Sequence, residues 1–360
     1  MIKSIQTLRL VFCLLVFICH YARHFGLPLF EYGGDGGVEF FFILSGFVLS
    51  IGFGTKIDGG EFYYKQFLYG RILKIYPAHI VALTMSLALG LYAGIAHFSI
   101  LKTLIDIAML QSWSLSSDII FYGNGPSWFI STLLFCYALF PFLYRNITTK
   151  GKVWFSILAI AYYAAYFCIV PRFDNHTIDT ILYAFPPMRL ADFAIGIWLY
   201  KLYRSPLSEK IKSKLMNGGS LFCTLLDLLV VAVCMSTYWI YVDSPSWFRF
   251  SMLFWLPFSL LIYYFSLSDN GCGVVSRLLR VPFLRTLGGL GFEFYLIHGV
   301  AVDLVTFAYG RLIGYENIVH PVLFTMCLCG SFVAASLLKV SCKSMTNNFT
   351  PLKWKQKNLS

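Results

Sequence analysis

Apolar runs of about 20 residues, separated by short polar or basic stretches, recur from one end of the chain to the other. A helix of that length crosses the roughly 30 Å hydrocarbon core of a bilayer. Ten such spans are expected, over 8 to 25, 37 to 54, 75 to 96, 127 to 144, 153 to 171, 181 to 200, 220 to 241, 248 to 267, 287 to 309 and 319 to 340. The fold class that follows is all-α, a polytopic membrane helix bundle of about ten transmembrane helices. It occupies 1 to 345, with a basic tail over 346 to 360 that is expected to be cytoplasmic.

Composition agrees with this pattern and leaves no room for a sizeable soluble domain: 58% of residues are hydrophobic, 12% are charged, and the mean hydropathy is +0.70. The basic residues then set the direction. With the amino terminus in the cytoplasm, all but six of the 28 lysines and arginines fall at the inner ends of spans, the exceptions being Arg23, Lys102, Arg172, Arg189, Arg249 and Arg311. Both termini are therefore expected in the cytoplasm. Topology accounts for the net charge of +11 without nucleic acid. The basic start and apolar run of residues 1 to 25 resemble a signal peptide, but the run is long and no small-residue cleavage site follows it. It is expected to stay as a helix. Of the ten cysteines, all but Cys272 and Cys342 lie inside spans and read as small apolar residues instead of disulfide partners.

Candidate chemistry begins in the first span. His20 lies eleven residues after Arg9. Eleven helical steps turn roughly 20° past three full circles and rise about 16 Å, so the two share a face at different depths. An ionisable side chain in a membrane helix is costly enough to be a functional candidate, and imidazole is the usual general base near neutral pH. His24, one turn further on, reads as interfacial or as an acceptor contact; further ligands at metal-binding spacing are lacking, so no metal is expected.

Several segments together resemble the acyltransferase 3 family of integral-membrane acyltransferases. The first span, IQTLRLVFCLLVFICHYARHFG, carries the family's basic residue, ten positions, then histidine, as Arg9 and His20. GGVEFFFILSGFVLS is similar to its second block, with Glu39 as the acid and Ser45 to Phe47 as the Ser-Gly-Phe tripeptide. YGRILKIYPAH resembles the pair of arginines three apart before the third span, except that Lys74 replaces the second and lacks the planar guanidinium fork. PSWFISTLLFCYALFP, MRLADFAIGIWLY and GGLGFEFYLIHG are similar to later blocks, anchored by Trp128, Arg189, Tyr295 and His298. An acidic residue that many members carry after the Trp128 region is replaced here, with Phe135 and Cys136 in that neighbourhood.

The resemblance implies transfer of an acyl group, commonly acetyl from acetyl-CoA, to a hydroxyl of a surface or exported glycan or a lipid-linked saccharide. Arg9, Arg71 and Lys74 are the expected donor-binding residues, since arginine and lysine hold phosphates well. His20 is the expected base. Glu39 is expected to orient it, although depth counting places Ser45 level with the histidine and Glu39 close to the outer surface. Ser45, Trp128, Arg189, Tyr295 and His298 are substrate-binding or structural candidates, and Arg189 with Asp192 forms an (i, i+3) pair that could hold helices in register. The loop over 97 to 126 is the longest on its side and the candidate acceptor lid. A secondary transporter of a small solute or glycan precursor is the alternative, against which stand the absence of an internal repeat and the gathering of charge on the first three spans.

Overall fold

The computed structural model describes residues 2–27, 33–94, 98–169 and 172–349. Residues 350–360 of the expected tail lie outside them. Among the described residues every regular element is helical.

The principal elements in chain order are α1 (Lys3–Phe25), α2 (Gly33–Asp58), α3 (Tyr64–Tyr92), α4 (Ile100–Ile107), α5 (Ser117–Ile120), α6 (Trp128–Ile169), α7 (Asn175–Ala184), α8 (Pro186–Tyr203), α9 (Pro206–Asn217), α10 (Gly219–Asp243), α11 (Leu253–Leu267), α12 (Val274–Leu278), α13 (Pro282–Gly288), α14 (Gly291–Ile313) and α15 (His320–Phe349). Among the described residues, eight helical stretches are long and apolar enough to cross a membrane. Two of the ten expected spans are not among them, one too short and one, α8, long enough but interrupted by Arg189, Asp192 and Lys201. The one expected over 153 to 171 is the second half of α6, which breaks at Lys150 (φ −124°, ψ 41°) and holds a short apolar core at Ala159–Cys168. The one expected over 181 to 200 is cut at Phe185, because the following prolines disfavour helical backbone before them and open a new helix at its first turn. Its remainder, α8, has 18 residues.

Burial sorts the helices. α1 and α2 lie inside, with two thirds of their apolar windows covered, whereas α10 shows 22% and α15 28%. Side chains such as Trp239 of α10 and Leu337 of α15, 83% and 64% exposed, therefore suit a lipid-facing surface instead of a soluble one. Small residues let the inner helices approach. A Cβ on Gly46 of α2 would come within 2.0 Å of the Phe193 carbonyl oxygen, and one on Gly196 of α8 within 1.9 Å of the Ile43 carbonyl oxygen. These two backbones touch, as membrane helices do at small-residue crossings.

α1 is held at both ends. Its first amides, on Lys3 and Ser4, donate to the Asp269 carboxylate at 3.1 and 2.8 Å, which satisfies orphan donors at a helix amino terminus. Its last turn closes on Gly26 at φ +62°, a left-handed cap that glycine adopts without strain. The helix carrying Arg9 and His20 is thus central and fixed in register.

Candidate functional site

Three features lie in sequence along α1. The first is a cavity of about 240 Å³ beside its amino-terminal half, walled by α1, α2, α3, α6, α14 and α15. Arg9, Arg71, Lys74 and Lys339 line it, opposed by one carboxylate, Glu293. Ser45 and Tyr295 line it too. Five of the sequence candidates therefore converge, as helical geometry makes possible for residues on different spans at similar depth. Arg71 lies over the rings of Phe53 and Phe67, 5.3 and 5.8 Å from their centroids, and its buried Nε has no hydrogen-bond partner. An unpaired buried guanidinium N–H among further cations fits a phosphate-bearing ligand, because charge-assisted hydrogen bonds offset the cost of burial. Lys339, which donates to the Gly289 carbonyl at 2.7 Å, was missed from sequence: a lysine at the end of the last span reads as a topology signal alone. Tyr137 and Phe129 in the same wall look like ordinary packing residues.

Three rings in the wall of this cavity close together. Phe129 and Tyr295 lie 5.1 Å apart, Phe41 and Tyr295 6.1 Å, and Phe41 and Phe129 6.3 Å. Edge and tilted contacts of this kind pack tightly without a sandwich.

The second feature is a pair of histidines that do not line this cavity but adjoin Tyr295, 6.1 Å from the His298 ring: His20 Nδ1 and His298 Nε2 are 2.7 Å apart with the imidazoles stacked at 4.9 Å. His298 Nδ1 is 2.7 Å from the Tyr295 carbonyl oxygen and 3.2 Å from that of Phe294. A carbonyl only accepts, so Nδ1 of His298 carries its proton. With both rings neutral, His298 Nε2 then accepts from His20 Nδ1, and the lone pair of His20 sits on Nε2. This tautomer follows from the hydrogen-bond network. The backbone of α14 thus fixes which nitrogen of His20 can take a proton.

The expected partner of His20, Glu39, is placed elsewhere. It is 1% exposed, not at a hydrated surface, and its ion-pair neighbour is Arg189, 4.0 Å away. Arg189 is fully buried and tied on every side: Nε donates to the Tyr183 carbonyl at 2.7 Å, Nη1 to Asp192 at 3.0 Å and to the Phe250 carbonyl. Phe250 belongs to a π-helical turn, Phe248–Met252, which turns a backbone carbonyl toward the guanidinium. This cluster joins α2, α8 and the entry to α11, and the role the geometry gives Arg189 is to lock these elements together. Trp128, at the start of α6, packs on Tyr183 and Phe42 and lines neither of the cavities described here.

The third feature is a larger cavity, of about 1060 Å³, at the opposite end of α1. His24 and residues from the loop between α3 and α6 line it, including Lys102, Asp118 and Tyr122. The loop expected to serve as acceptor lid thus contributes wall residues to this cavity. Among the described residues no group of three or more histidine, cysteine or acidic side chains is arranged to hold a metal.

Comparison with known proteins gives the same class. A family profile described as an acyltransferase domain matches residues 2–340. The chain is also 26% identical over 350 residues to "Acyltransferase MdmB" of Streptomyces mycarofaciens, covering 88% of this chain and 83% of that protein. No solved structure matches. A match over nearly the whole chain sets the transporter alternative aside: the chain belongs to the acyltransferase 3 family of membrane acyltransferases.

Proposed function

We propose that the protein is an O-acyltransferase that takes an acyl group, acetyl in the simplest case, from acyl-CoA at the cytosolic face and passes it to a hydroxyl of a glycan or lipid-linked saccharide on the other side. The observation that carries this reading is the alignment of a cationic cavity, a histidine pair and a second cavity along one helix.

Arg9, Arg71, Lys74 and Lys339 supply the charge to hold the phosphates of the donor. His20 lies about 16 Å further along α1 than Arg9, a distance comparable with an extended pantetheine arm. His20 Nε2 accepts the proton of the acceptor hydroxyl as its oxygen bonds to the thioester carbon. The carbon–sulfur bond breaks, and the proton passes from His20 to the departing thiolate. Charge and atoms balance, and no other co-reactant is required. Holding both reactants on one axis contributes through proximity as well as proton transfer.

The test is to compare acylation of surface glycans by mass spectrometry in cells carrying wild type, His20→Ala and Arg71→Ala, with membrane abundance followed by immunoblot. Removing a general base is expected to lower the rate by about 10² to 10⁴. Removing one charge-assisted phosphate contact is expected to raise the donor KM roughly tenfold or more. Full activity of both variants at unchanged abundance would refute the assignment.

A further inference from the structure

At the end of the bundle where α1 begins, α9 is too short to cross the membrane and contributes no residue to either cavity. It has 12 residues, about 18 Å of rise against the roughly 30 Å of a hydrocarbon core. Hydrogen bonds to α11 fix its place. Ser4 Oγ of α1 donates to the Phe265 carbonyl at 2.6 Å, and Ser208 Oγ of α9 lies 2.7 Å from Tyr263 Oη, so α9 sits at the same boundary as the amino terminus of α1. Its ends are fastened too: the Ser205 side chain caps its first turn, and the Leu215 carbonyl accepts from Cys223 Sγ at 3.2 Å. Gly219, at φ +72° in the left-handed region that glycine tolerates, then turns the chain into α10, whose Leu221 and Leu225 are exposed. α9 is therefore a fixed surface helix that borders lipid.

A turn every 3.6 residues gives α9 unlike sides. Ser208, Ile211 and Leu215 share the side packed on the bundle, with Ser208 and Leu215 buried. Leu207, Lys210 and Lys214 share one flank, all exposed. Lys212 and Met216 lie on the other, where Glu209, three positions before Lys212, offsets its charge. The first flank has no acid beside it, so two ammonium groups about 6 Å apart along the axis face outward next to an apolar side chain. Neither lysine makes an ion pair or hydrogen bond among the described residues. Basic residues nearby differ: Lys201 Nζ donates to the Thr148 carbonyl, and Arg204 Nη1 to Tyr200 Oη at 3.2 Å. Those two cations are occupied within the chain, whereas the pair on α9 is not.

We infer that the flank of α9 formed by Leu207, Lys210 and Lys214 binds the headgroup of an anionic phospholipid in the adjoining leaflet. Charge complementarity selects that partner: a lipid phosphodiester meets two ammonium donors at headgroup depth, while Leu207 and the lysine stems reach the acyl boundary, as in interfacial amphipathic helices. Each basic residue held near an anionic bilayer surface strengthens the association roughly fivefold, and the effect weakens as salt rises. α9 joins α8, which crosses α2 at Gly196, to the lipid-facing α10, so a lipid bound here ties the tightly packed interior to the rim of the bundle.

The test places the purified full-length chain in detergent with equal amounts of phosphatidylglycerol and phosphatidylcholine, counts retained lipids by native mass spectrometry, and follows unfolding by intrinsic fluorescence. Wild type is expected to retain phosphatidylglycerol in preference and to unfold at a higher temperature with it than with phosphatidylcholine alone. Lys210→Gln with Lys214→Gln should lower the preference roughly tenfold or more, while unfolding in phosphatidylcholine as the wild type does. Lys210→Arg with Lys214→Arg should retain it. Lys212→Gln with Lys150→Gln removes the same charge from the same end of the bundle, where Lys201 reaches Thr148, and should retain it too. Each single glutamine variant, Lys210→Gln or Lys214→Gln, should lose roughly fivefold, so refutation does not depend on the double variant folding. Equal retention of the two lipids by wild type overturns the inference. A loss in the Lys212 and Lys150 pair as large as in the Lys210 and Lys214 pair also overturns it, since that marks diffuse attraction. So does displacement of phosphatidylglycerol by inorganic phosphate at equal concentration, which marks a site for free phosphate instead of lipid.

Discussion

A neutral imidazole acts as a base only through the nitrogen that lacks a proton, and in this protein the Tyr295 carbonyl decides which one that is. His298 relays the choice from the α14 backbone to His20. His298→Ala is therefore expected to lower kcat about 10- to 100-fold, the effect of leaving a buried donor without its partner, with CoA affinity unchanged. His298→Gln, whose side-chain oxygen can accept from His20 Nδ1, should recover part of the loss. A merely structural role would give no such rescue, so kcat and CoA affinity measured across both variants decide the point. How far this was legible from sequence differs by residue. Arg9 and His20 share a helix, so their relation follows from rise and rotation alone. Arg71 and Lys74 follow from resemblance and depth together, and Tyr295 from resemblance alone, and they meet in one cavity; Ser45 joins them level with Arg9 and not, as depth counting has it, with His20, because α2 packs antiparallel on α1 with Gly34 against Cys19 and Gly37 against Val16. The pairing of His20 with His298 spans 278 positions, and the neighbour of Glu39 lies on α8. Periodicity states which face a residue occupies but not which helix covers it, so neither partner was visible.

Among the elements, the crossing of α2 and α8 is the least forgiving. Gly196→Ala would push a methyl group into the Ile43 carbonyl, and no flexible side chain is there to yield. Overpacking of this kind costs about 1–3 kcal/mol. The variant is expected to unfold at lower temperature in detergent, read by intrinsic fluorescence, while Gly52→Ala, which meets no atom within 4 Å, should not. A second element-scale prediction concerns the segment between α3 and α6. Asp106 on α4 is fully buried, accepts from Ser127 at 3.2 Å, and its backbone carbonyl lies 2.8 Å from His79 Nε2. Burial pushes its carboxyl up to about 7, from the ordinary 3.8. Since the folded value is raised, its contribution to stability is fully present below about pH 4 and is lost as pH rises toward 7. Hydrogen exchange in residues 98 to 123 should accelerate between about pH 4 and 7 beyond the intrinsic rate, and Asp106→Asn should flatten that dependence. Neither the crossing nor this anchor could be read from the sequence. Gly46 and Gly196 look like any other small residues in apolar runs, and Asp106 looks like a loop carboxylate in water.

Across the whole molecule, the topology expected from the basic residues predicts that the cavity of Arg9, Arg71 and Lys74 faces the cytosol and the far cavity the opposite side. Reporter fusions after residues 123 and 217 test this. An alkaline phosphatase fused at the first is expected to be active and at the second inactive, with the reverse for a fluorescent protein that matures only in the cytosol. The overall bundle was legible because eight of its helices carry the unbroken apolar length that a bilayer demands. The two discrepant regions were not, since a proline pair and a mid-helix break redistribute length without changing composition.

The three-ring cluster of Phe41, Phe129 and Tyr295 bears on the cell's energetics. An aqueous pocket entering from each side of a bilayer leaves only a thin septum to withstand the electrical potential, which is worth about 2.3 kcal/mol per charge for each 100 mV. Apolar constrictions exclude water and so block ion passage. On the two-sided reaction proposed above, rings in the wall of the inner cavity insulate as well as pack, and transfer between compartments does not short-circuit the membrane. Proteoliposomes carrying Phe41→Ala with Phe129→Ala should dissipate an imposed proton gradient that the wild type sustains.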